Sequence, residues 1–151
     1  MNNEIYLDCA ATSPLTEFTK NHLIEIFSKK LGNSSSIHHS GVISNLFLEK
    51  ARIKISNLIN CRPEEIYFTS GATESNNIVF NGILENWSNN VRNEILISSI
   101  EHSSVAQSAA YLSSKGFVVR KIPVLSNGEI NFLDFTKLIN EKTILVSIVH
   151  A

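Results

Sequence analysis

Thr69-Ser70-Gly71-Ala72-Thr73-Glu74-Ser75-Asn76-Asn77 lies between a short β-rich run, Ile66-Tyr67-Phe68, and an apolar pattern at Ile78, Val79, Ile83 and Leu84. β-branched and aromatic residues favour a pleated strand, Ser-Gly interrupts it, and apolar residues at helical spacing then mark the face of a helix. The expected order is strand, tight turn, helix. Small residues at the turn let the backbone come close to a ligand. Unpaired N–H groups at the helix start, with the helix dipole behind them, suit a phosphate dianion. The hydroxyls of Ser70, Thr73 and Ser75 would add donors. Ser and Thr are also ordinary helix N-caps, and Thr73 followed by acidic and amide residues fits plain capping chemistry, so these residues alone leave both readings open.

Downstream, the alternation continues. Glu94 to Ser98 reads as a buried strand, Ser103 to Lys115 as a helix closed by Gly116, and Phe117 to Val124 as a second strand. Asn127-Gly128 supplies a turn, and Asp134 can cap a short helix through Asn140. Thr143 to Val149 is a near-continuous apolar run of the kind found in central parallel strands covered on both faces. Upstream, a short extended piece at Ile5 to Leu7 precedes a turn at Ser13-Pro14. A helix is expected from Thr16 to Lys30, with Phe18, Leu23, Ile26 and Phe27 on one face. After a polar loop over Leu31 to His39, a longer helix ends near Asn60, and its apolar face of Ile43, Leu46, Phe47, Ile55 and Leu58 is expected to pack against a core. Residues 1–60 thus form an N-terminal segment with two helices, and residues 61–151 the first part of a larger α/β domain with a mostly parallel sheet. In such sheets ligands sit beyond the carboxyl ends of the strands, where both the Thr69–Asn77 stretch and His102 fall.

Bulk properties narrow the function classes. With 151 residues and 43% hydrophobic content the chain can bury one ordinary core. The 13 Lys and Arg residues are dispersed and the formal net charge is -1, which argues against direct nucleic-acid binding and against anionic lipid as a partner. No basic-then-apolar leader and no long apolar run is present, so no membrane association and a cytoplasmic location are expected. Cys9 and Cys61 are too few and too far apart for a disulfide framework or a zinc knuckle. His38 and His39 stand side by side without the further ligands a metal would need, so no metal site is expected. Neither G-x-G-x-x-G nor G-x-x-x-x-G-K-[ST] follows any expected strand, which disfavours a nucleotide-binding domain.

Six ordered blocks carry a resemblance. Tyr6-Leu7-Asp8-Cys9-Ala10-Ala11-Thr12-Ser13-Pro14 is similar to Y-L-D-x-A-A-T-T-P, Leu31-Gly32-Asn33-Ser34-Ser35-Ser36 to F-G-N-P-S-S, and the stretch ending His39-Ser40-Gly41 to the H-x-x-G after it. Thr69 to Ser75 matches T-S-G-A-T-E-S, Ile100-Glu101-His102-Ser103-Ser104-Val105 matches x-E-H-x-x-V, and Ile144 to Ala151 matches the strand that leads into N-N-E-x-G. In these blocks the chain resembles the N-terminal portion of the cysteine desulfurases, class V members of the fold-type I enzymes that use pyridoxal 5'-phosphate. Ser13 replaces a Thr and Ser34 a Pro of the pattern; the first keeps a hydroxyl and the second loosens a loop.

The resemblance implies the start of the large domain of that fold, with Gly71, Ala72 and Thr73 contacting the cofactor phosphate. It implies that His102 stacks on the cofactor ring and assists proton transfers, a task suited to a residue type that exchanges a proton near neutrality. Spacing alone allows a second reading of His102, a helix-start histidine making a local hydrogen bond. The family converts L-cysteine to L-alanine and passes sulfur on as a persulfide, for iron–sulfur cluster assembly or thiolation of RNA and cofactors. Its members are homodimers that serve a sulfur-acceptor protein or scaffold. In the family's pattern the Schiff-base lysine, the aspartate pairing the pyridinium nitrogen and the persulfide cysteine follow later than residue 151, so Cys9 and Cys61 inherit no nucleophilic role. A stretch that is inactive by itself, with an unpaired apolar strand edge and a dependence on a partner, is therefore expected. The alternative is a non-catalytic remnant or split subunit that acts by association.

Overall fold

The computed structural model describes residues 5–29, 31–87 and 91–150, which divide into two compact units, 1–67 and 68–151. In the first, α1 (Glu17–Ser28) starts one residue later than its periodicity suggested because Thr16 is the N-cap, accepting the Thr19 N–H at 3.2 Å. Its expected end, Lys30, lies outside the described residues.

The second helix, α2 (His39–Ile59), begins at an uncommon cap: Nδ1 of His38 accepts the Gly41 N–H at 3.4 Å. It ends at Asn60, whose φ of 55° is the left-handed conformation that Asn tolerates. The polar loop before it is folded onto its first turn. Gly32 donates its N–H to Ser44 Oγ and Ser36 its N–H to Asn33 O, both at 2.9 Å. Gly41 is needed there, since a Cβ would stand 2.2 Å from the Ser36 carbonyl oxygen. The expected apolar face does not form a buried stripe: α2 buries only Gly41 and Ser56, while Leu46, Phe47, Ile55 and Leu58 stay exposed.

A 3₁₀ turn at Pro63–Glu65 follows, and Ile66-Tyr67-Phe68, expected as a strand, pairs with no strand of the described sheet. The Ile66 carbonyl accepts from Arg52 of α2, so a side chain takes the place a neighbouring strand would fill. Local β propensity is overridden where no ladder partner is to hand.

In the second unit α3 (Ala72–Glu85), β1 (Glu94–Ser98), α4 (Ser103–Ser114), β2 (Val118–Ile122), α5 (Phe132–Leu138) and β3 (Thr143–Ser147) follow in order. The sheet is three-stranded and all parallel, ordered β2-β1-β3. Two expectations are corrected. β2 is shorter than residues 117–124, and β3 stops at Ser147, two residues before the expected Val149; β3 lies at an edge of the described sheet beside β1, the unpaired edge expected of it. β1 is buried over Ile95 to Ser98 because, among the described strands, it has a neighbour on either side.

Alternating side chains of β1 divide between the two faces. Ile95 and Ile97 meet Val105, Ala109 and Leu112 of α4 with Phe80 and Phe117, and Ile83, Leu84 and Trp87 close the cluster. The core face of α3 is thus Phe80, Ile83 and Leu84, with Trp87 just past its end; Ile78 and Val79, read from sequence as part of that face, are exposed. Leu96 and Ile122 are fully buried on the opposite face. Gly116, at φ 102°, ends α4, with the Phe117 N–H returning to Leu112 O at 3.2 Å. The N-cap of α5 is Asn131, which accepts the Asp134 N–H at 3.3 Å; Asp134, expected as the cap, lies inside the first turn. Asn127-Gly128 forms the expected turn, Gly128 having a φ of 87° and donating to Leu125 O at 2.9 Å.

Candidate functional site

Parallel strands present their carboxyl ends to one edge, and there α4 begins directly after β1. Glu101, in the loop between them, accepts from Ser98 Oγ at 3.2 Å and from Ser147 Oγ at 3.3 Å, tying the ends of β1 and β3 together. Sequence reading passed over this role because Ser98 and Ser147 lie far apart in the chain; the only local signal was a Glu beside His102.

The start of α3 is open. Gly71 is its N-cap and supplies no side-chain acceptor, and no hydrogen bond to the N–H groups of Ala72, Thr73 or Glu74 is found among the described residues. Gly71, Ala72 and Thr73 are all exposed, and a Cβ added at Gly71 would meet nothing within 4 Å. The small residue thus leaves free volume over the helix start. One N–H is already taken: Ser70 donates to Glu74 Oε2 at 2.6 Å, which holds that carboxyl below the usual carboxylate range and keeps it folded back on the turn. Ser75, expected to offer its hydroxyl outward, is turned inward, 2.8 Å from Thr69 Oγ1 and 3.3 Å from Gly71 O. Of the three hydroxyls considered, Thr73 and Ser70 are therefore the ones left to face a ligand.

His102 is the N-cap of α4 and is exposed. Its Nδ1 accepts the Ser104 N–H at 3.2 Å and lies 2.9 Å from Ser104 Oγ, so the local helix-start hydrogen bond exists. Asn76, in the second turn of α3, donates its amide to the same Ser104 Oγ at 2.9 Å. Through this chain of side chains the structure brings His102 and the start of α3 to one edge. In the first unit His38 caps α2, Cys9 is exposed and Cys61 half-buried, both as free thiols.

An all-parallel sheet flanked by helices, with an uncapped helix start and a histidine at its carboxyl edge, defines the α/β class and puts the candidate site where such folds take their ligands. The aminotransferase class-V family model matches residues 5–151, and the chain belongs to that family. Within it, the chain is 38% identical over 151 residues to a cysteine desulfurase IscS of Dictyoglomus turgidum, covering all of this chain and 38% of that relative. It is 42% identical over 148 residues to cysteine desulfurase IscS 1 of Archaeoglobus fulgidus, covering 97% of this chain and 38% of that one. The solved structure of a NifS-like protein superposes with a TM-score of 0.89 at 38% identity, over 95% of this chain and 39% of its own. DndA from Streptomyces lividans superposes at 0.82 with 31% identity, over 97% of this chain and 41% of its own. The chain spans about two fifths of the length of these relatives.

Proposed function

We propose that this chain forms the opening part of the cofactor site of a cysteine desulfurase, an enzyme that takes sulfur from L-cysteine as a persulfide and leaves L-alanine. The observation that carries the reading is the uncapped start of α3, with free space over Gly71 and the exposed ring of His102 tied to it through Ser104 and Asn76. Unpaired N–H groups, a hydroxyl and a positive helix end fit the phosphate of pyridoxal 5'-phosphate. That cofactor supplies an electron sink for bonds broken next to the amino group of an amino acid. Gly71, Ala72 and Thr73 bind and orient its phosphate, and His102 stacks on its ring. The relatives' names support cysteine as the substrate.

The resemblance puts the family's Schiff-base lysine and persulfide cysteine later than residue 151, and the chain covers 38% of the Dictyoglomus turgidum relative, so the proposal is that residues 1–151 by themselves hold the cofactor phosphate and turn over no cysteine. A homodimer, a sulfur-acceptor protein and a cytoplasmic location complete the proposal; among the described residues no helix is long and apolar enough to cross a membrane.

The test is a titration of pyridoxal 5'-phosphate with the chain, followed by the ³¹P resonance of its phosphate. Displacement and broadening of that resonance, lost in Thr73→Val, are the expected outcome. A resonance unmoved at saturating protein would overturn the reading.

A further inference from the structure

The hydrogen bonds at His102 fix more than its position. A backbone N–H can only donate, so the Ser104 N–H at 3.2 Å makes Nδ1 of His102 an acceptor. The Ser104 hydroxyl, 2.9 Å from the same nitrogen, must then also donate to it. That leaves the lone pairs of Ser104 Oγ to accept, and the Asn76 amide fills that need from α3 at 2.9 Å. Ser104 is buried while His102 is exposed, so the chain of donors runs from the interior outward to the ring.

We propose that Ser104 and Asn76 are positioning residues which hold the neutral His102 ring as its Nε2–H tautomer, so that the ring offers a donor, not a proton acceptor, to whatever lies against it. The inference rests on the cofactor-facing reading of His102 for its use, but not for its measurement. For Nε2 to accept a proton while the ring is neutral, the existing proton would first have to move to Nδ1, where two donors already point. The arrangement favours stacking and hydrogen-bond donation over general-base action by His102. It also couples the ring to the phosphate helix, since Asn76 lies one turn beyond Thr73 on α3.

The test reads the tautomer directly, by ¹H–¹⁵N correlation of the histidine rings in the full chain without pyridoxal 5'-phosphate, at a pH where the ring is neutral. His102→Gln identifies the relevant signal among the five histidines. The parent should show predominantly Nε2–H. Asn76→Leu, which removes the amide donor, should lower the Nε2–H to Nδ1–H ratio roughly two- to tenfold, the effect of one ordinary hydrogen bond. Asn76→Asp should lower it further, because the carboxylate takes the Ser104 proton and turns an Oγ lone pair onto Nδ1. Ser104→Thr keeps the hydroxyl and should keep the ratio, whereas Ser104→Ala should not.

A predominantly Nδ1–H ring in the parent overturns the proposal, as does an unchanged ratio in both Asn76 variants. Should those variants lose the parent's amide dispersion, an unchanged ratio in Ser104→Ala has the same force. Failure of the phosphate titration would overturn the proposed function while leaving this measurement intact, and the converse also holds.

Discussion

Gly41 and Gly82 should respond to the same substitution with opposite signs. At Gly41 an added Cβ would stand 2.2 Å from Ser36 O, 2.7 Å from Ser36 Cβ and 2.8 Å from Asn33 O. The first distance is about 1.2 Å short of the 3.4 Å at which ordinary contact begins. Two of these atoms are backbone carbonyl oxygens, and the loop that carries them is closed by the Ser36 N–H to Asn33 O bond at 2.9 Å. Relief therefore means moving the loop. Overpacking of this kind costs about 1–3 kcal/mol and a disturbed hydrogen bond about 0.5–1.5 kcal/mol, against which the better helix propensity of Ala returns up to about 1 kcal/mol. The net expectation for Gly41→Ala is a loss of about 1–3 kcal/mol. Gly82, inside α3, has nothing within 4 Å of its would-be Cβ, so Gly82→Ala should gain about 0.8–1 kcal/mol. Urea unfolding distinguishes the two, with far-UV circular dichroism following the helices and the single tryptophan, Trp87, following the second unit. A Gly41→Ala midpoint equal to or above the parent's would refute the steric argument, and so would a lowered Gly82→Ala midpoint.

Leu112→Ala removes a fully buried side chain from the α4–sheet core and should cost about 2–5 kcal/mol, seen as an earlier transition in Trp87 fluorescence. On the proposed function, Thr73→Val deletes one hydroxyl donor to a charged phosphate and should weaken pyridoxal 5'-phosphate binding roughly tenfold to a hundredfold in the ³¹P titration. Glu94 is held below its ordinary value of 4.5 by donation from the Asn140 amide at 2.8 Å and, less strongly, by Arg120 at 3.4 Å. Because its folded pKa is depressed, its contribution is present above 4.5 and is lost as pH falls through the lower folded value. Glu94→Gln should therefore flatten the acid limb of a stability–pH curve, and an unaltered limb would show that other carboxylates set it.

The sequence was most informative where a signal is local. Gly116 had to follow a helix, Asn127-Gly128 had to turn, and the Thr69–Asn77 stretch had to start a helix with small residues at its head, because each depends on backbone freedom within a few residues. The family motifs marked Gly71, Ala72, Thr73 and His102, and the structure places Ala72 and Thr73 at the start of α3 and His102 at that of α4. Readings that needed a partner went astray. Ile66-Tyr67-Phe68 has the composition of a strand, yet Arg52 donates to the Ile66 carbonyl and the stretch joins no strand of the described sheet.

What the amino-acid sequence determined, then, was the alternation of elements and the chemical identity of the residues at the sheet's carboxyl edge. Tertiary structure alone decided that the Asn76 amide of α3 meets Ser104 Oγ behind His102. The reason is range. Caps and turns are set by residues a few positions apart, whereas Asn76 and Ser104 stand 28 residues apart and meet only because α3 and α4 pack together.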